Sequence, residues 1–321
     1  MAGSLANDKV IIVKNLVKKF GDFTAVDQIK FEVNRGEIFG FLGPNGSGKT
    51  TTIRMMLGLL QPTEGEINIL GIDVNGSVEG IRRKVGYMSQ RFSLYNDLTV
   101  VQNLKFYGAA YGLDESKLNV RIGESLEMAG LLGKEQVKTR DLSGGWRQRL
   151  ALSVAIIHQP EVIFLDEPTA GVDPVSRRTF WDLLYQLVTG GVTVFVTTHY
   201  MDEAEHCHRL AFIQEGRLIA YGSPEEIKQD TIKGRVFEIG VDHPGEALAL
   251  LKKVQKDKPE LISEVELYGS LIHLFSDSNQ NSERKIKEIL KRSKVQVNYM
   301  EEIDPSLEDV FISCVHNNKQ S

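Results

Sequence analysis

Along the first forty residues the apolar side chains come in short β-branched and aromatic runs. Val10 to Val17, Ile29 to Val33 and Glu37 to Leu42 are separated by polar or Gly-containing turns, a pattern that predicts three strands. The period then changes. From Thr51 to Leu60, Ile53, Met56, Leu57 and Leu60 recur at helical spacing, so a strand, a Gly-rich turn and a helix follow one another. Gly65 to Leu70 and Val85 to Ser89 read as further strands, the second leading into Gln90. Between Phe92 and Arg140 the pattern is helical and irregular, with one helix opened by Leu98-Thr99-Val100 and another over Leu118 to Met128. A helix with Leu150, Val154 and Ile157 on one face follows. Val162-Ile163-Phe164-Leu165 is apolar throughout, as a parallel strand buried on both faces requires, and Thr193 to Thr198 is another such strand. Arg209 to Gln214 and Arg217 to Tyr221 flank Glu215-Gly216 as a hairpin.

After about Asp230 the composition shifts. Val236 to Val241 predicts a strand; Ala247, Leu250, Leu251 and Val254 form a helical face. Val265 and Leu267, then Ile272 and Leu274, alternate on two strands joined through Gly269-Ser270. Ile286, Ile289 and Leu290 form a second helical face, and Val295, Val297 and Tyr299 alternate with Gln296 and Asn298 as a last strand. The order β-α-β-β-α-β is that of a ferredoxin-like unit. A final helix is predicted with Asp304 as its N-cap, Pro305 in its first turn, and Leu307, Val310, Phe311 and Cys314 on one face. Lys252, Lys253, Lys256 and Lys258 read as a solvated surface.

The chain has 321 residues, room for a domain of about 230 residues and a smaller one. The expected division is 1–230, with a helical insertion over about 92–150, and 231–321. A net charge of −5 supplies no general attraction to DNA or RNA, which argues against nucleic acid as a partner. Cys207 and Cys314 match neither a metal-ligand spacing nor a disulfide framework, as suits a reducing compartment. No apolar run reaches the roughly 18–20 residues that span a bilayer, and Met1 to Lys9 lacks the apolar core of a signal peptide. The chain is expected to be soluble, any membrane role requiring a partner.

The turn after Leu42 carries the chemistry. Gly43-Pro44-Asn45-Gly46-Ser47-Gly48-Lys49-Thr50 has the G-x-x-x-x-G-K-[ST] spacing in the strand-to-helix setting that a P-loop needs. Its glycines let successive N–H groups turn toward a phosphate chain, and the helix beginning near Thr51 adds its positive end. Lys49 suits the β- and γ-phosphates, and the Thr50 hydroxyl suits Mg²⁺. Asp166 and Glu167 leave the carboxyl end of a buried strand as adjacent acids; Asp166 fits metal ligation, and Glu167 is then free to orient and deprotonate an attacking water. The bland reading of such a pair is a helix cap, which the P-loop and Pro168 disfavour. Phe20 either stacks on a purine or packs beneath its turn. His199, at a strand end, is either structural or a donor to a γ-phosphate. Ser143, Gly144 and Gly145 at a helix start form a second, separate phosphate-binding nest.

Together these residues resemble an ATP-binding cassette (ABC) ATPase, the nucleotide-binding subunit of an ABC transporter, over about residues 8 to 230. The resemblance implies an α/β P-loop ATPase fold: a mixed sheet core, an N-terminal antiparallel β part and a helical insertion. It also implies residue roles. Phe20 takes the place of the aromatic that stacks on adenine, and Gly43 to Thr50 the Walker A segment, with Thr51 beside it. Gln90 matches the glutamine that contacts Mg²⁺ and the attacking water and senses the membrane partner. Asp166 and Glu167 match the Walker B aspartate and the catalytic glutamate, Asp173 the loop linking two sites, and His199 the switch histidine. Ser143, Gly144 and Gly145 match the signature that binds the γ-phosphate of ATP held by the opposite subunit. Trp146 stands where the family's Leu-Ser-Gly-Gly-Gln has glutamine, so whatever that glutamine does near the ribose must be done otherwise. The implied cofactors are ATP and Mg²⁺; the implied partners are a second cassette, identical or paralogous, and a separate transmembrane permease. The implied location is the cytoplasmic face of the cell membrane, through that permease.

The tail Pro305-Ser306-Leu307-Glu308-Asp309-Val310-Phe311 is similar to that of daunorubicin-type drug and multidrug export ATPases, which favours an exporter and a small C-terminal α+β domain. Other cassette proteins fit less well. The hundred or so residues between Gly43 and Ser143 leave no room for the long coiled coil of DNA-repair types, and one set of motifs is not the tandem of translation factors. A guanine-reading Asn-Lys-x-Asp sequence is absent.

Overall fold

The structure is a computed structural model that describes residues 9–76, 78–90, 93–232, 234–276, 281–293 and 295–318. Met1 to Asp8, and Phe92 as the expected start of the helical insertion, lie outside the described residues. The chain divides into two compact units, Met1–Pro224 and Glu225–Ser321.

In the first unit, β1 (Lys9–Phe20) and β2 (Phe23–Asn34) pair antiparallel, and β3 (Ile38–Leu42) leads into α1 (Lys49–Met56). Then come β4 (Glu64–Ile69), β5 (Ile72–Asp73), α2 (Val78–Arg82), β6 (Val85–Met88), α3 (Val100–Ala110), α4 (Glu115–Met128), a short 3₁₀ turn (Thr139–Asp141) and α5 (Gly144–Ile156). The unit ends with β7 (Val162–Asp166), α6 (Pro174–Thr189), β8 (Thr193–Thr198), α7 (Met201–Ala204), β9 (Arg209–Gln214) and β10 (Arg217–Gly222). One antiparallel sheet runs β2-β1-β4-β5, and a mixed sheet runs β10-β9-β3-β8-β7-β6, parallel except for the β9–β10 hairpin. Strands β3, β7 and β8 are buried at every position, which is why β3 and β7 are nearly unbroken apolar runs, whereas β8 buries Val194, Phe195 and Val196 together with three threonines. Phe31 of β2 stacks on Phe39 of β3 with centroids 5.6 Å apart, and Phe39 on Phe195 of β8 at 5.5 Å, so aromatic packing fixes one sheet upon the other.

The helical insertion has its own core around Val100, Leu104, Ile122, Leu131 and Leu150. Thr99 opens α3 with a reciprocal capping box to Gln102, as the Leu98-Thr99-Val100 signal predicts. The helix after the P-loop stops at Met56, short of Leu60, because the chain turns back: Gly58 N and Leu59 N donate to the carbonyls of Met55 and Arg54.

In the second unit α8 (Pro224–Thr231) precedes β11 (Arg235–Val241), α9 (Pro244–Asp257), β12 (Glu264–Tyr268), β13 (Leu271–Ser276), α10 (Ser282–Arg292), β14 (Val297–Ile303) and α11 (Leu307–Asn318). The antiparallel order β12-β13-β11-β14 with this connectivity is the ferredoxin-like arrangement. Two boundaries differ from the sequence reading. The last strand begins at Val297, and its register shifts between the Gly240–Tyr299 and Val241–Val297 pairs, which breaks the alternation. Val297 packs on the core, whereas Tyr299 is exposed. At the final helix, Ser306 rather than Asp304 caps: Ser306 Oγ accepts from Asp309 N, and Asp309 Oδ2 accepts from both the N–H and the hydroxyl of Ser306.

Candidate functional site

The carboxyl ends of β3, β7 and β8 meet at one place, where a parallel sheet offers its crevice. Leu42 ends β3, and the loop Gly43, Pro44, Asn45, Gly46, Ser47 and Gly48 carries the chain into α1. A Cβ at Gly43 would lie 2.1 Å from the Ile213 carbonyl oxygen, and Gly48 has φ +110° as the N-cap of α1, so neither position admits a side chain without displacement. The turn of the β9–β10 hairpin braces this loop. Gly216 N donates to Ser47 O at 3.0 Å, and Asp27 N donates to Gly216 O at 2.8 Å.

Lys49 is buried and donates to Gly43 O at 2.8 Å and Pro44 O at 3.1 Å, with its ammonium 3.1 Å from Glu167 Oε1. Glu167 is the hub. Gln90 Nε2 donates to its Oε2 at 2.9 Å, and His199 Nδ1 lies 3.4 Å from the same oxygen. Burial pushes the Glu167 carboxyl up, but the bond and charge of the Lys49 ammonium, with the nearby His199 and the bond from Gln90, together outweigh this and hold it below the usual range. Its neighbour Asp166 goes the other way: burial raises it, against the opposing hydrogen bonds from Thr197 and Thr50, and the charge of Glu167 adds to the rise. Two adjacent acids are thus set apart by environment. Glu167 also has φ +47°, an uncommon left-handed backbone for a non-glycine residue.

Asp166 Oδ1 accepts from Thr197 Oγ1 at 2.8 Å and from Thr50 Oγ1 at 3.2 Å, while Oδ2 is buried without a hydrogen-bond partner. A buried carboxylate oxygen left over beside a hydroxyl and an amide is the donor set a hard, oxygen-seeking cation takes. Among the described residues no cluster of three or more His, Cys, Asp or Glu forms a metal site, so such a cation would rely on Thr50, Gln90 and Asp166.

The cleft has a volume of about 490 Å³, within the roughly 300–1,000 Å³ of small-molecule sites, and runs from Lys49, Thr50, Thr51, Gln90 and Glu167 to an aromatic end. There Phe20 is 50% exposed and faces the cleft with Phe23, so Phe20 is not packed beneath its turn. Backbone N–H groups, an ammonium and an open aromatic can hold, in order, phosphates and a planar base.

Ser143, Gly144 and Gly145 are elsewhere. They start α5, with Ser143 and Gly144 exposed, and none of them lines the cleft. Trp146 turns into the helical insertion, where the Arg149 guanidinium lies 3.7 Å from its ring and the Lys134 ammonium 4.7 Å. Asp173 caps α6, accepting from Ser176 N at 2.9 Å.

Two residues of this region escaped the sequence reading. Thr197 lies within a run read simply as an apolar strand. Gln148, fully buried, donates to Pro168 O at 2.7 Å and ties α5 to the residue following Glu167. The available signal was a polar side chain at a position that the apolar pattern places in the core.

Residues 26–170 match the ABC transporter family, and residues 222–315 match the C-terminal domain of DrrA1-3-like ATP-binding proteins. The Nod factor export ATP-binding protein I of Neorhizobium galegae is 35% identical over 312 residues, 97% of this chain and 86% of that protein. The chain belongs to the ABC transporter ATP-binding proteins. The cassette is also 51% identical over 221 residues to the probable multidrug ABC transporter ATP-binding protein YbhF of Escherichia coli (strain K12), covering 69% of this chain but only 38% of YbhF. Among solved structures, the ATP-binding cassette MJ0796, dimeric in a post-hydrolysis state with ADP and Pi, superposes with a TM-score of 0.61 at 30% identity, over 66% of this chain and 98% of that one. ATP is accordingly the nucleotide of this cassette, and ATP hydrolysis is its family's characteristic reaction.

Proposed function

We propose that this chain is the ATP-hydrolysing subunit of an exporter, and that two cassettes close head to tail around two Mg·ATP. The observation that carries this reading is the split site. Lys49, Thr50, Gln90, Glu167 and Phe20 line one cleft, while the exposed start of α5 at Ser143 contributes nothing to it. In a second copy the Ser143, Gly144 and Gly145 segment is free to meet the γ-phosphate held by the first. ATP bridging the two copies supplies the state-dependent affinity that any closure needs.

Within each site, Phe20 stacks on adenine, the N–H groups of residues 43–51 hold the phosphates, and Lys49 leaves its carbonyl contacts for the β- and γ-phosphates. Thr50, Gln90 and Asp166 would hold Mg²⁺, which neutralises triphosphate charge and orients it for in-line attack. Glu167, charged and held by Gln90, takes a proton from water as its oxygen attacks the γ-phosphorus. His199 donates to the γ-phosphate. The bond to the β-phosphate oxygen breaks, leaving ADP and phosphate.

The reading extends to an ATPase domain up to about residue 230 and an accessory α+β domain beyond it. It also includes a separate transmembrane permease that receives the motion through the Gln90 region and the helical insertion. Peripheral attachment at the cytoplasmic face, through that permease, belongs to the same reading; no helix among the described residues is long and apolar enough to cross a membrane. The relatives' names, multidrug and Nod factor export, support the outward direction.

The test is Glu167→Gln in saturating Mg·ATP. Loss of steady-state hydrolysis together with a doubling of mass by light scattering is expected, and a multi-span membrane protein should copurify from detergent extracts. Unchanged hydrolysis would remove Glu167 from its role; protomers that stay single, even with the permease, would remove the shared-site mechanism.

A further inference from the structure

We propose that Thr197 is a positioning residue whose one hydroxyl aims both acids, Asp166 at the cation and Glu167 at the water; this rests on the reading of the site given above. A threonine hydroxyl has one proton to give and lone pairs to receive. Here the proton goes to Asp166 Oδ1 at 2.8 Å, and the oxygen receives the Glu167 N–H at 3.0 Å. The first bond, with that from Thr50, occupies Oδ1 and leaves the buried Oδ2 as the free acceptor. The second holds the left-handed backbone of Glu167, assisted by the Thr197 carbonyl, which also accepts from Glu167 N at 3.1 Å. Strand β8 puts Thr197 directly opposite Asp166 in register, so the hydroxyl reaches both residues without a loop between them.

Packing alone does not ask for this residue. Thr197 is fully buried in a strand with Val194, Phe195 and Val196, where valine has the same shape and suits a strand equally well. The hydroxyl is therefore the part of the side chain with a task. Outer groups that orient metal ligands are typically worth about 10–100-fold in affinity or activity.

The experiment compares Thr197→Val, Thr197→Ala, Thr197→Ser and Asp166→Asn in the full chain. Mn²⁺ binding is followed by electron paramagnetic resonance in the presence of a non-hydrolysable ATP analogue, analogue affinity is measured in EDTA, and kcat and KM are measured with Mg·ATP. Thr197→Val and Thr197→Ala should bind the analogue in EDTA as the parent does, bind Mn²⁺ about tenfold more weakly, and lose about 10–100-fold in kcat with KM little changed. Thr197→Ser should recover both properties, which a purely volumetric role would not predict. Mn²⁺ affinity and kcat within twofold of the parent in the valine and alanine variants would overturn the inference, as would a serine variant no better than valine. If Asp166→Asn weakens Mn²⁺ binding and Thr197→Val does not, the inference falls alone; if neither weakens it, the cation assignment falls with it.

Discussion

The second unit contains a buried ionic contact whose removal should be measurable without nucleotide. His273 of β13 and Asp309 of α11 lie 2.7 Å apart, Nδ1 to Oδ1, with each side chain 4% exposed. His273 Nε2 is 3.4 Å from Glu238 Oε2, and Tyr268 stacks on the imidazole with centroids 4.5 Å apart. Removing one member of a buried pair costs about 3–5 kcal/mol, because the survivor is left charged and dry. For His273→Leu the lower end applies, about 3 kcal/mol, since Asp309 keeps its two bonds from Ser306. At about 1.4 kcal/mol per tenfold, that raises the population of undocked α11 by about 150-fold. Cys314, buried on α11, reports it: the rate at which a thiol reagent labels Cys314, normalised to the urea-unfolded chain and read by mass spectrometry, should rise by that factor.

The pH dependence has a definite sign. For His273, burial lowers the pKa but the Asp309 and Glu238 carboxylates outweigh it, so the folded value lies above the ordinary 6.5. Its contribution is full below 6.5 and is lost as pH rises through the folded value. For Asp309, burial raises the pKa and the bonds from His273 and Ser306 outweigh it, so the folded value lies below the ordinary 3.8. That contribution is present above 3.8 and lost as pH falls through the folded value. Protection of Cys314 should therefore peak between the two ranges, and His273→Leu should abolish the alkaline arm. Combining His273→Leu with Asp309→Asn should cost at least about 1.5 kcal/mol less than the sum of the single changes. Strict additivity, or protection flat from pH 5 to 9, would refute the pairing as the element that holds α11.

Two further outcomes concern the cleft. Phe20→Ala should weaken ATP binding by about 1–3 kcal/mol, roughly 5–150-fold, without changing the Mg²⁺ dependence, as measured by calorimetry; equal affinity would exclude stacking. Gly43→Ala places a Cβ 2.1 Å from Ile213 O and should lower the melting temperature and abolish ATP binding together, whereas an intact thermal transition with normal binding would mean that the loop and β9 separate cheaply.

Much of this molecule is legible in its sequence because the informative features are local. The spacing of the P-loop's glycines, the Asp166–Glu167 pair at the end of an apolar run and the Glu215-Gly216 turn can each be recognised from neighbours within a few residues. What stayed hidden depends on pairing across distance. The task of Thr197 exists only because β7 and β8 are adjacent, and the bond from Gln148 to Pro168 spans two elements that periodicity does not join. Trp146 lies against Arg149, its neighbour in sequence, and Lys134, twelve residues away, and the sequence does not say which way the ring turns between them. Tyr299 left its predicted face because a register shift costs one residue of alternation, and Ser306 rather than Asp304 became the cap because only its hydroxyl meets Asp309.

The brace between Gly216 and Ser47 has a consequence for the birth of the protein. The phosphate cradle is translated early, yet its support comes from a turn some 170 positions later, about ten to thirty seconds at usual elongation speeds of 5–20 residues per second. Until that turn leaves the ribosome the nascent cradle lacks its backing, so a growing chain should acquire ATP only when the closing strands of its first unit have emerged.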